Sequence, residues 1–248
     1  VGKESLYAGF HVTYNGITDT TVGVHATTRP PIPAARENIQ YFTVPGRDGT
    51  LTIKDGTVED IVIQVDFSYT AYPDAWQDIA YAARDWLLGH SSATLRFSDL
   101  AGIFYKVKSV EVSDNLRQLK KIGTFSAYFT CEGYQYLDSG LEPISQGNLF
   151  NLNNQWAKSH PLYRISAAYD GTCSLTVNGK TLKATIAQNL TIDTDLMMAY
   201  RTDNKIIMNT ALIMGNLDYK DFWLPRGSNN IGITSGYALQ IVPNWRRL

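Results

Sequence analysis

Four histidines, His11, His25, His90 and His160, are the side chains best suited to metal binding or to acid–base work near neutral pH. They are scattered and give no metal-ligand spacing. The sequence contains no HExxH, CxxC, P-loop or GxSxG pattern. Asp193 and Asp195 begin like a calcium loop, but the glycine and distal glutamate such a loop needs are missing, so the pair reads as a turn. Paired carboxylates could hydrolyse a glycosidic bond only at a set spatial separation, which spacing along a chain does not give. The sequence therefore assigns no catalytic, cofactor-binding or metal-binding residue and predicts a protein that is not an enzyme. Its most distinctive charged groups sit at predicted turns. Arg47 lies in Gly46-Arg47-Asp48-Gly49, and Arg117, Lys120 and Lys121 form a small basic cluster. Such groups are ordinarily solvated. An arginine held between glycines at a hairpin tip also projects freely, which makes both clusters candidate contacts with another protein chain.

The elements that would carry these turns are strands. Tyr41 to Val44 alternates, Pro45 ends the strand because it cannot donate a ladder hydrogen bond, Asp48-Gly49 turns, and Leu51-Thr52-Ile53 resumes. Ser5 to Tyr14 reads as a strand leading into an Asn15-Gly16 hairpin, with a second strand over Thr21 to Thr28. Arg29-Pro30-Pro31-Ile32-Pro33 must be an extended connector. Ile61, Ile63, Val65, Phe67 and Tyr69 face one way along a half-buried strand. One helix follows. Pro73 and Asp74 suit its start, Trp76, Ile79, Ala80, Ala83 and Leu87 share a face, and Gly89 suits its end. Ala93 to Phe97, Ile103 to Val112 and Ile122 to Cys131 complete the first half. The last two are predicted to form a long hairpin whose tip carries Arg117, Lys120 and Lys121.

Composition agrees with a β-rich globular protein. Hydrophobic residues make up 44% and charged residues 18%, enough for a proper core, and 15 tyrosines favour strands. A net charge of −1 supplies no basic field for nucleic acid. The two cysteines, Cys131 and Cys173, read as buried free thiols. No apolar run is long enough for a membrane helix, and the N-terminus lacks signal-peptide order. A soluble protein made in a reducing cytoplasm, without a membrane anchor, is the expectation.

Residues 139–161 are turn-rich and read as a linker between a domain over 1–138 and a second over 162–248. The second domain alternates short strands with strong turns, of which Asp170-Gly171 and Asn178-Gly179 are the clearest hairpin signals. Further strands are predicted over Lys180 to Ile186, Leu190 to Asp193, Met197 to Arg201, Lys205 to Met208, Asp221 to Leu224, Asn230 to Ile233 and Ala238 to Val242. The pattern is that of a β-sandwich.

Val44-Pro45-Gly46-Arg47-Asp48-Gly49-Thr50-Leu51, followed by the strand Val58 to Phe67, resembles a signature of the distal tail proteins of siphophages. The resemblance covers most of the first 135 residues. It implies a mainly β fold: an N-terminal split β-barrel or sandwich with one flanking helix and an extended hairpin, and a C-terminal sandwich like those of galectins or carbohydrate-binding modules. The last residues, ending Trp245-Arg246-Arg247-Leu248, would return to the first domain. It also implies a structural role at the virion tail tip, after assembly in the host bacterial cytoplasm. A homo-hexameric ring of N-terminal domains would join the tail-tube protein to the tail-associated fibre or lysin protein and the receptor-binding apparatus, with DNA crossing its channel. The resemblance names no cofactor. The rival reading is an adhesion module that binds cell-wall carbohydrate through exposed aromatics such as Tyr200, Tyr219 and Trp223.

Overall fold

The computed structural model describes residues 9–90, 93–118, 121–145 and 147–248, and the chain divides after Gln135 into two compact units. Ser5 to Ala8, expected to begin the first strand, and Lys120 lie outside the described residues.

The first unit holds β1 (Val12–Tyr14), β2 (Ile17–Thr18), α1 (Asp19–Val22), β3 (His25–Ala26), β4 (Glu37–Thr43), β5 (Thr50–Val58), β6 (Ile61–Thr70), α2 (Trp76–Leu87), β7 (Ala93–Phe97), β8 (Ile103–Val112), β9 (Leu116–Gln118) and β10 (Ile122–Cys131). Its main sheet is antiparallel in the order β2-β1-β7-β8-β10-β6-β3 and does not close into a barrel. The alternation read in β6 sets the core: Ile63, Val65, Phe67 and Tyr69 turn inward opposite Phe125, Ala127 and Phe129 of β10. Phe67 stacks on its cross-strand partner Phe125 at 5.3 Å between ring centres. Helix α2 buries Ala80, Ala83, Trp86 and Leu87. The Trp86 indole donates to the Tyr14 carbonyl at 3.1 Å, which satisfies its one polar atom inside the core.

The sequence misreads one segment here. Thr21 to Thr28 is not a second strand: one helical turn, a left-handed Gly23 and the short β3 take its place. Asp19 is the cause. Its carboxylate is fully buried and accepts from the amides of Thr20 at 2.8 Å and Ala26 at 3.2 Å, folding the segment back on itself.

The second unit begins at Tyr136, within β11 (Gln135–Leu137). It adds β12 (Ile144–Ser145), β13 (Leu149–Asn154), β14 (Leu162–Ser166), β15 (Gly171–Val177), β16 (Lys180–Ile186), β17 (Asn189–Asp193), β18 (Met198–Tyr200), β19 (Leu212–Ile213), β20 (Gly227–Ile233), β21 (Ala238–Val242) and β22 (Arg246–Arg247). Two five-stranded sheets, β12-β21-β14-β17-β18 and β13-β20-β15-β16-β19, share one core. Inward residues alternate along β15 and β14, with Cys173, Leu175 and Val177 on the first and Tyr163 and Ile165 on the second.

Residues 139–161 carry structure where a linker was expected: β12 and β13 add an edge strand to each sheet. One of the segment's asparagines bonds within the fold. Asn154 is buried and donates to the carbonyls of Ala157 at 3.0 Å and Leu224 at 2.9 Å. Asp221 to Leu224 is likewise no strand. A 3-10 turn spans Tyr219–Phe222, closed by reciprocal bonds in which Asp218 and Asp221 each accept a backbone amide. Lys205 to Met208 contributes only an isolated bridge, Tyr200 to Ile207. Trp245 belongs to the core of this unit.

Candidate assembly surface

Among the described residues, strands β4 and β5 pair only with each other, in register from Thr43 opposite Thr50 to Glu37 opposite Val58, with a bulge after Glu37. The extended hairpin is therefore this ribbon. The predicted hairpin of β8 and β10 does form, with β9 continuing the β8 arm against β10. It does not project, because β6 pairs along the whole of β10 and holds the hairpin inside the main sheet.

Cross-strand register places Phe42 beside Leu51 and Gln40 beside Ile53 on one face of the ribbon. Phe42 is 46% exposed, Leu51 37% and Ile53 46%, and Tyr41 on the opposite face is 64% exposed. A two-stranded ribbon with apolar groups open to water is marginal by itself, and contiguous exposed apolar groups are a common mark of interaction surfaces. Polar pairs hold its base: Asn38 donates to the Thr57 hydroxyl at 2.7 Å, and Lys54 pairs with Glu37.

At the tip, Gly46 and Gly49 adopt φ of +78° and +74°, and the Arg47 amide donates to the Val44 carbonyl at 3.2 Å. The left-handed values explain both glycines. Arg47 and Asp48 project into water, and neither side chain bonds to another described residue.

The other predicted cluster occupies different elements. Arg117 of β9 lies over the Trp76 ring at 5.1 Å, and Lys121 lies over Tyr72 at 5.9 Å. These cations are thus held against aromatic faces at the start of α2. A second open surface lies along β6, where β3 pairs only with Phe67 and Ser68. Among the described residues, Ile61 to Val65 have no strand partner on that side.

The histidines remain apart. Among the described residues, no group of three or more His, Cys, Asp or Glu could hold a metal ion. Cys131 and Cys173 are free and buried, and burial pushes their thiols up to about 12 and about 11. No helix among the described residues is long and apolar enough to cross a membrane.

The aromatics proposed for sugar stacking are occupied. Trp223 stacks on His160 at 4.0 Å, lies under the Lys158 ammonium at 4.7 Å, and donates to the Thr194 carbonyl at 3.1 Å. Tyr219 is only 9% exposed, and Tyr200 carries the Lys205 ammonium over its ring at 5.0 Å. Around His160 lies a network the sequence did not signal, since its members, Asp195 and Arg246, are far apart in the chain.

No family model matches the chain, and no curated protein matches it. Comparison with solved structures finds a likeness over 96% of this chain and 98% of the other, with a TM-score of 0.61 and 14% sequence identity, to the Dit protein (gp 19.1) of SPP1. The fold is that of SPP1 Dit. SPP1 Dit is known as a paradigm of the hub adsorption apparatus in phages that infect Gram-positive bacteria. The likeness to SPP1 Dit runs over nearly the length of both chains, so both units are matched.

Proposed function

We propose that this chain is a structural phage distal tail protein. Copies associate through the first unit into a closed ring, a hexamer, at the tail tip. The ring joins the tail-tube protein to the tail-associated fibre or lysin protein and the receptor-binding components, and DNA passes through its channel. Assembly takes place in the host bacterial cytoplasm, and the protein has no catalytic role.

The observation that carries this reading is the uncovered β4–β5 ribbon on a chain whose whole length follows SPP1 Dit. An exposed apolar ribbon and an open strand edge invite pairing, and closure into a ring removes both liabilities. In this reading Gly46, Arg47, Asp48 and Gly49 reach the neighbouring copy. Arg117, Lys120 and Lys121 form a secondary contact.

Negative-stain imaging and native mass spectrometry of the full chain test the proposal. Particles with a central hole and a single closed stoichiometry are expected. A monomer at every concentration, with no ring even beside a tail-tube partner, would sink it. The rival of aromatic-based carbohydrate adhesion loses support because Tyr219 and Trp223 are engaged within the unit.

A further inference from the structure

The second unit has a cleft of about 290 Å³ on the outer face of the β21-β14-β17-β18 sheet. Arg164 and Ser166 of β14 and Gln240 of β21 line its floor, and Asn189, Thr202 and Asp203 its side. Ile165 also borders it, but its side chain is turned into the core and 1% exposed, so the lining is polar. The wall is held in place: the Asn189 side chain accepts from the Thr202 amide at 2.9 Å, and the Thr202 and Thr191 hydroxyls meet at 2.8 Å.

Arg164 is the unusual member. It is half-buried, yet its guanidinium makes no hydrogen bond or ion pair with any described residue. Register places it between Thr191 and Gln240, neither of which carries a counter-charge. A planar fork of donors in a concavity suits a carboxylate or a phosphate. Asp203 discriminates between them. One of its carboxylate oxygens pairs with Arg201 at 3.5 Å and accepts the Asn204 amide at 2.8 Å. The carboxylate still disfavours a dianion relative to a monoanion, while its lone pairs accept from hydroxyl groups. The hydroxyls of Ser166 and Thr202 and the Gln240 amide add further donors and acceptors.

We infer that this cleft binds a monoanionic, hydroxylated small molecule, with the carboxylate on Arg164 and the hydroxyls facing Asp203 and Gln240, as a uronic acid would present them. The cleft belongs to the second unit and the β4–β5 ribbon to the first. A ligand of this size in an open polar cleft binds with a Kd on the order of 1 mM.

Saturation-transfer NMR on the full chain, with sodium glucuronate, glucose and inorganic phosphate as probes, tests this. Glucuronate should saturate, glucose should bind at least about tenfold more weakly, and phosphate should not displace glucuronate at matched concentration. Arg164→Gln should weaken glucuronate about tenfold or more with the melting temperature unchanged, and Arg164→Lys should restore part of the loss. Equal binding of glucose, full displacement by phosphate, or an unaffected Arg164→Gln variant would each overturn the assignment.

Discussion

Arg246 donates to Nε2 of His160 at 2.7 Å, although the two residues are 86 positions apart. A guanidinium cannot accept a hydrogen bond, so Nε2 must be the acceptor and the imidazole proton must sit on Nδ1, which donates to Asp195 at 2.8 Å. Arg246 also donates to the Lys158 carbonyl at 2.7 Å, and Asn244 to the His160 carbonyl at 2.8 Å. A neutral histidine of one fixed tautomer thus ties the last strand to the segment before β14.

This arrangement predicts a pH dependence. Burial, the largest influence, lowers the His160 pKa. The hydrogen bond to Asp195 opposes it, and the charge of Arg246 adds to the lowering. Above about pH 6.5 the imidazole is neutral in both folded and unfolded chains. Below that, the unfolded chain takes up the proton first, so stability falls with pH. Calorimetry should show the melting temperature dropping from pH 7 to pH 5, with a shallower slope in His160→Gln. Parallel slopes in the two proteins would remove His160 from the explanation.

Gly123 lies opposite Tyr69 in the β10–β6 pair, and a Cβ there would meet the tyrosine ring at 2.1 Å. Tyr69 cannot swing aside cheaply, because it is buried and its hydroxyl accepts from Asn115 at 2.7 Å. Gly123→Ala should therefore destabilise the first unit by about 1–3 kcal/mol through overpacking. Urea unfolding measures this, and a change below about 0.5 kcal/mol would mean the sheet yields without strain.

The ribbon tip separates backbone strain from assembly. No atom of the described residues lies within 4 Å of a Cβ built on Gly49, so Gly49→Val costs only the conformation, roughly 1–3 kcal/mol. Because the ribbon pairs with nothing else, that cost should appear as faster amide exchange in β4 and β5, with the main sheet unaffected. Arg47→Ala should change monomer stability by about 0.5 kcal/mol or less. On the proposed function it weakens or abolishes the ring, and normal rings would return Arg47 to a solvated role.

Phe42 and Leu51 are adjacent across the ribbon and open to water. Phe42→Asp should leave the melting of the monomer nearly unchanged, and on the proposed function it should prevent ring closure, because it would place a charge in the surface proposed to meet the next copy. Analytical ultracentrifugation distinguishes the outcomes. Intact rings would show that the ribbon lies outside the interface.

Local signals in the sequence were read reliably where they depend on the backbone alone. Asn15-Gly16 and Asn178-Gly179 turn with positive φ at all four residues, as a two-residue hairpin requires. The inward alternation of β6 and β10 and the apolar face of α2 also follow from side-chain period. The strand read over Thr21 to Thr28 does not form because a short polar side chain such as Asp19 looks the same in the sequence whether it meets water or the amide of Ala26.

By itself, then, the sequence determined the β-rich class, the position of the one substantial helix, the two Asn-Gly hairpins and the charged turn at 46–49. Each depends on φ preference or periodicity among near neighbours. The hairpin expected at Asp170-Gly171, by contrast, does not form, because β14 and β15 lie in different sheets. Tertiary structure alone decided that β4 and β5 stand apart as a ribbon while β8 and β10 do not. It also decided that residues 139–161 supply two sheet edges, that Arg246 satisfies His160, and that Arg164 is left without a partner in its cleft. Those outcomes depend on which residues meet across the fold, and pairing between distant segments is set by packing of the whole unit rather than by any local run of side chains.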